Sequence, residues 1–335
     1  MSIVNEKKAK IIAGALTASI LATGCSTSDG EQEQPKEETQ PETKVELNIS
    51  ALSGPTGMGM VEMMNDETLE NYNINIVKSI DEITPKLANG EIDIAAVPAN
   101  VASVLYNNLD TKITTLNINT LGVLYLLESG EEVKDIQSIK GKTIYMTGKG
   151  STPEYAINYI LEENGINPQT DVKIEYKAEA TECLNALLND PNALGVLPEP
   201  FVTTALTKSE NLRVALDMTE EWNNVSSESS LVTGVVVARD EFLEENPEAV
   251  EKFMKEYKES IDFVNTNLEE GAALVGESGI TKEEVAKTAI PNCNIVYIDG
   301  DDMKNKLSGY LEVLFEANNK AVGGALPGED FYYKK

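Results

Sequence analysis

The sequence has 335 residues and a formal net charge of −29, from 56 acidic against 27 basic side chains, and it contains no histidine. A chain this acidic is repelled by nucleic acid and by anionic membrane surfaces. The lack of histidine removes Ser-His-Asp hydrolysis, imidazole acid–base catalysis and most zinc or iron sites. Arginine occurs only as Arg213 and Arg239, too few for a guanidinium cluster gripping an anion.

Residues 1–24 read as an export signal. "MSIVNEKKAK" supplies Lys7, Lys8 and Lys10, and "IIAGALTASILA" is an apolar run of about 12 residues, the length of a signal h-region and too short to span a bilayer. Small residues follow in "ATGC", which resembles the lipobox of bacterial lipoproteins, with Ala22 where leucine is more usual. That resemblance implies removal of residues 1–24 and lipidation of Cys25. Residues 26–44, "STSDGEQEQPKEETQPETK", hold no aliphatic or aromatic side chain. Such a stretch cannot bury enough surface to offset its ordering entropy, so residues 25–44 are expected to be a lipidated cysteine and a disordered tether. The folded body is then expected at the extracytoplasmic face of a cell membrane, in a Gram-positive-type bacterium.

From Val45 to Lys335 the length favours two domains. "VELNISAL" predicts a strand, "GMGMVEMMNDETLE" a helix, "NINIVKS" a strand and "IDEITPKLANG" a helix closed by Gly90. "EIDIAAVP" is a buried strand followed by the helix "ANVASVLYNN". "KITTLNINTLGVLYLLESG" is β-rich, either two strands or one long crossing strand. A second series runs strand "GKTIYMTG", helix "STPEYAINYILEENG", strand "DVKIEYK", helix "ATECLNALLND", strand "ALGVLPEP", helix "FVTTALTKSE" and strand "LRVALDM". "SLVTGVVVARDEFLEENP" adds one more strand. The remainder reads as helices: "EAVEKFMKEYKESIDFVNTNLEEG", "TKEEVAKTAI" and "DGDDMKNKLSGYLEVLFEANN". Alternating strands and helices imply parallel sheets covered on both faces.

Several of these segments, in order, resemble the extracytoplasmic solute-binding proteins of ABC importers, and most of all the nitrate/sulfonate/taurine and thiamine-precursor type. The resemblance rests on "ISALSGPTG", "LANGEIDIAAVPANVASVLYN", "IKGKTIYMTGKGSTPEYAINYIL", "GVLPEPFVTTAL" and "LVTGVVVARDEFLEENPEAVEKFMKEYKESIDF". It implies an α/β, two-lobed periplasmic-binding-protein fold of type II, with mostly parallel sheets flanked by helices and the ligand between the lobes. The expected lobes are residues 45–139 with 234–335, and residues 140–233. No enzyme activity and no cofactor or metal is implied. The implied partners are a small-molecule solute, a permease and its ATPase. The chain is expected to be monomeric, with no nucleic-acid partner.

The loops independently suggest where such a ligand sits. In open α/β sheets, ligands bind beyond the carboxyl ends of the strands. Four strand-end loops carry turn residues and small hydroxyls ahead of helix N-termini, whose free N–H groups favour a negative oxygen. The first offers Ser53, Gly54, Thr56, Gly57 and Met58, the last as an apolar wall. The second offers Pro98 and Asn100. The third, "TGKGSTPEY", offers Thr147, Gly150, Ser151, Thr152 and Tyr155; Ser151 or Thr152 can cap the helix, and Glu154 stands three residues beyond Ser151. The fourth offers Glu199 and Phe201, and the Glu199 carboxylate would select a cationic or hydrogen-bond-donating group. Trp222, the sole tryptophan, reads either as a ligand-stacking ring or as core. Met60, Met63 and Met64 share one helical face and are expected to pack on the sheet. Cys183 and Cys293 could form a disulfide outside the cell, but are expected to be buried free thiols.

The expected function is capture of a small polar or anionic organic solute, sulfonate-, nitrate- or vitamin-precursor-like. The alternatives are an enzyme on the same fold, of the menaquinone-pathway or thiamine-pyrimidine-synthase kind, and a sensory lipoprotein without a permease.

Overall fold

The computed structural model describes residues 45–66, 69, 71–227 and 229–334. The expected signal segment, Cys25 and the tether lie outside the described residues. The first sheet begins with β1 (Leu47–Leu52), followed by α1 (Pro55–Met58), α2 (Val61–Asn65), β2 (Tyr72–Val77), α3 (Ile80–Ala88), β3 (Ile94–Pro98), α4 (Ala99–Asn108) and β4 (Ile113–Leu121). The chain then enters a second sheet through β5 (Leu124–Ser129), β6 (Thr143–Met146), α5 (Thr152–Glu163), β7 (Lys173–Tyr176), α6 (Ala180–Asn189), β8 (Leu194–Pro198), α7 (Phe201–Lys208), β9 (Leu212–Asp217) and α8 (Met218–Val225). It returns with β10 (Val232–Arg239) and ends in α9 (Asp240–Glu245), α10 (Pro247–Thr266), α11 (Leu268–Glu277), α12 (Glu283–Ala289), β11 (Ile295–Ile298) and α13 (Gly300–Ala317).

The strand orders are β11-β4-β10-β3-β1-β2 and β7-β6-β8-β5-β9. The architecture is α/β, two sheets flanked by helices, and each sheet is mixed. The βαβ units pair in parallel: β1 with β2 and β3, and β6 with β7 and β8. β10 is antiparallel to both neighbours, and β5 is antiparallel to β8 and β9. Central strands such as β3 are buried on both faces, which explains the unbroken apolar run "IAAV".

Several expected boundaries move. The helix anticipated over "GMGMVEMMNDETLE" is two short pieces, and Gly59 between them passes so close to α10 that a Cβ there would meet Ile261 Cγ1 at 2.8 Å. Met60 and Met63 are buried as expected, but Met64, in the last turn of α2, is 41% exposed. The long helix after Pro247 breaks at Asn267, whose φ and ψ of −112° and 64° leave the helical region. Two elements are new. α8 is short and acidic, and starts where the Asp217 carboxylate accepts the Thr219 N–H at 2.7 Å. β11 is a four-residue, half-buried edge strand lying between helical stretches.

The "KITTLNINTLGVLYLLESG" stretch resolves as two strands in different sheets. β5 pairs with β8 and β9, so the chain crosses to the second sheet at residues 122–123, ahead of the expected boundary at residue 139, and it is back in the first sheet at Val232 of β10. Asn294 braces the first crossover: its carbonyl accepts the Leu121 N–H at 3.0 Å, and its Nδ2 donates to the Gly122 carbonyl at 2.6 Å. Cys183 and Cys293 are buried free thiols.

Candidate functional site

Antiparallel pairing creates the place where the two sheets face one another. Pro98 ends β3 opposite Gly234 of β10, and Pro198 ends β8 opposite Leu124 of β5. The carboxyl ends of β3 and β8 thus meet the starting ends of β10 and β5, beside both crossovers. A cavity of about 180 Å³ lies there, lined by Pro98, Val123, Leu124, Thr147, Thr152, Pro153, Val196, Pro198, Leu231 and Thr233. Both sheets and both crossovers contribute. The N-termini of α4 and α5 border it through Pro98 and through Thr152 and Pro153.

Elements belonging to the two sheets also meet on two further fronts. On one, Trp222 of α8 lies between Tyr159 of α5 and Tyr310 of α13, with ring centroids 4.5 and 5.7 Å away. Nearby, Asn318 Nδ2 donates to the Tyr155 hydroxyl at 2.8 Å. On the other, the Tyr125 hydroxyl of β5 donates to the Asn292 carbonyl at 2.7 Å.

Of the residues singled out in the loops, Pro98, Thr147 and Thr152 line the cavity. The others lie elsewhere, for local reasons. Trp222 is fully buried, and its Nε1 donates to Ser229 Oγ at 3.0 Å, so its whole surface is used in packing. Met58 is fully buried in the same core cluster as the α10 residues Phe253 and Tyr257 and does not line this cavity. Phe201 is 43% exposed, on the outer face of α7. Thr56 is buried against β10: a Cβ at Gly234 would come within 2.8 Å of its Oγ1, and its carbonyl accepts from Asn119 Nδ2 at 2.9 Å. Gly57 sits beside it in α1, while Ser53 and Gly54 form the turn before that helix, Ser53 donating its N–H to the Val77 carbonyl at 2.7 Å. Asn100 Nδ2 points away to the Ala321 carbonyl at 3.3 Å. Ser151 occupies the N-cap position of α5, but its hydroxyl donates to the Gly148 carbonyl at 2.6 Å and caps nothing. The Tyr155 hydroxyl donates to the Gly150 carbonyl at 3.1 Å.

A family model described as "ABC transporter, phosphonate, periplasmic substrate-binding protein" matches residues 59–289. The chain belongs to that family. It is a substrate-binding component of an ABC transporter, acting outside the cytoplasm, and not an enzyme. The structure resembles that of an ABC transporter protein from Parabacteroides distasonis, at 25% identity and a TM-score of 0.73, covering 87% of this chain and 99% of that one. It also resembles the periplasmic aliphatic sulphonate binding protein of Escherichia coli, at 14% identity and a TM-score of 0.66, covering 86% and 95% of the two chains. A ligand-binding component of an ABC-type import system from Staphylococcus aureus follows at 15% identity and a TM-score of 0.61, over 87% and 96%. No curated protein sequence is significantly similar to the chain.

In this substrate-binding protein, two carboxylates satisfy backbone groups at the starts of α5 and α7. Glu154 accepts the Gly150 N–H and, at 2.8 Å, the Tyr176 hydroxyl. Glu199 accepts the Thr203 N–H at 3.1 Å and the Thr203 hydroxyl at 3.0 Å, closing the start of α7. Burial raises the Glu199 pKa above its ordinary 4.5, opposed by the two bonds from Thr203. The folded state therefore holds this proton more tightly than the unfolded chain. Stability falls as pH rises from 4.5 through the raised value. Glu199→Gln is expected to flatten that limb of the stability–pH curve, measured by urea denaturation between pH 4 and 8. An unchanged slope would remove Glu199 as its source.

The apolar lining (Val123, Leu124, Val196, Leu231) escaped sequence reading because each of these residues lies within or beside a buried strand. Only their position at the carboxyl end of β8, at the start of β5 or in a crossover distinguishes them.

Proposed function

We propose that this protein captures a small organic solute between its two sheets and delivers it to a membrane permease driven by an ATPase. The cavity carries this reading, because it draws its lining from both sheets and from both crossovers. Each sheet with its helices acts as a lobe, the first formed by residues 45–121 and 232–334 and the second by residues 124–225, and the crossovers act as the hinge. The small-residue "ATGC" supports a lipid on Cys25 holding the protein to the outer face of the membrane, as suits a Gram-positive-type cell.

Among sulfonate-, nitrate- and vitamin-precursor-like solutes, walls of Val123, Leu124, Val196 and Leu231 favour one with an apolar body over nitrate. A thermal-shift screen of phosphonates, sulfonates, nitrate and thiamine precursors tests the function. A bound solute at 100 times its Kd adds about 2.7 kcal/mol of stability. That shift is expected to disappear in Thr233→Phe, which fills the cavity from a half-buried position. A shift that survives in Thr233→Phe and in Thr147→Phe would place the solute elsewhere.

A further inference from the structure

We infer that the cavity selects an uncharged solute, with a largely apolar body and a single hydrogen-bonding head, over a phosphonate or sulfonate anion. This rests on the cavity being the solute site. Seven of its ten lining residues are apolar, and the polar three are threonines offering hydroxyls. Among the described residues, the lining contains no lysine, arginine or carboxylate.

An ionised phosphonate entering this space would lose its hydration shell and meet no fixed cation, and a buried charge is strongly disfavoured unless it is paired. Both arginines are committed elsewhere. Arg213 pairs with Glu128 and donates from Nε to the Gly130 carbonyl at 2.9 Å. Arg239 pairs with Asp93 and Glu241, at 3.0 and 2.9 Å.

The backbone donors that would otherwise serve an anion are partly spent. The Gly150 N–H, in the loop leading to α5, already points at the chain's own Glu154 carboxylate. The Thr203 N–H in the first turn of α7 points at Glu199. Glu154 lies in the first turn of α5 beside the lining residues Thr152 and Pro153, and Glu199 follows the lining residue Pro198. Tyr125 of β5, next to the lining residue Leu124, has its hydroxyl pushed well above the ordinary phenol value by burial and then by Asp217 and Glu199. What remains for a ligand is an apolar wall, three hydroxyls that donate or accept, and the N–H groups at the start of α4. This set suits a neutral alcohol, ether, amide or heteroaromatic nitrogen. The volume suits one ring or a short chain, since an apolar cavity of roughly 150 Å³ accepts benzene.

The test is calorimetric titration of the purified protein with benzyl alcohol, phenylphosphonate and ethylphosphonate at pH 7.5. Benzyl alcohol is expected to bind at least tenfold more tightly than either phosphonate, and its heat is expected to vanish in Thr233→Phe and Thr147→Phe. Ethylphosphonate keeps size from deciding the result. Equal or tighter phosphonate binding that both variants abolish would overturn the choice of solute class and leave the cavity as the site. Binding of any probe that persists in both variants would overturn the cavity itself. No heat from benzyl alcohol would also overturn the inference.

Discussion

Replacing Trp222 with alanine is expected to lower folding stability by about 3–5 kcal/mol, the usual cost of deleting a buried aromatic side chain. Trp222 has no exposed surface, and its indole N–H is satisfied by Ser229. Its ring lies between Tyr159, from the same sheet's helices, and Tyr310 of α13, from the other sheet. The alanine variant therefore leaves a cavity at the place where α13 packs on the helices of the second sheet. Urea denaturation followed by circular dichroism measures the loss, because the variant removes the chain's single tryptophan. Trp222→Phe should recover part of it. A loss below about 1 kcal/mol would show that the site collapses around the deletion.

Arg239→Met is expected to cost a similar amount, about 3–5 kcal/mol, because it strands a buried carboxylate. Arg239 and Asp93 are 8% and 5% exposed. The guanidinium bonds Asp93 through Nη2 at 3.0 Å and the Ile92 carbonyl through Nε at 3.0 Å. The second Asp93 oxygen accepts the Asn48 N–H at 2.9 Å. One ion pair thus joins the entry of β3, the end of β10 and β1. The companion Asp93→Asn and the double variant complete a thermodynamic cycle. The double variant is expected to lose less than the two single losses combined, since it leaves neither charge unpaired. Strict additivity would show that the two groups act independently.

Much of the fold is legible in local pattern. The βαβ segments carry buried runs such as "IAAV" and amphipathic helices such as α3, whose Ser79 and Glu82 form the reciprocal cap. Short or polar elements are not legible: α8 has too few apolar positions for a period, and β11 is four residues long.

The site divides in the same way. Pro98, Thr147 and Thr152 could be found because they stand at strand ends ahead of helices, where α/β sheets present their ligands. Met58, Phe201 and Trp222 have the chemistry of ligand contacts, but their placement depends on what packs against α1, α7 and α8. Glu154 stands three residues beyond Ser151, the spacing of a residue that reaches back to the helix start, and it bonds the Gly150 N–H, whereas Glu199 carries no local sign that it closes the start of α7.

The sequence by itself determined the α/β class, the order of most elements and the strand-end loops, because periodicity, caps and turns are interactions among residues a few positions apart. Only the tertiary structure decided that β5 crosses to the second sheet, that β10 returns antiparallel, and that four strand-type aliphatic residues wall a cavity. Those outcomes depend on contacts between residues far apart in the chain, such as Gly234 with Pro98 and Leu124 with Pro198, which no local pattern encodes.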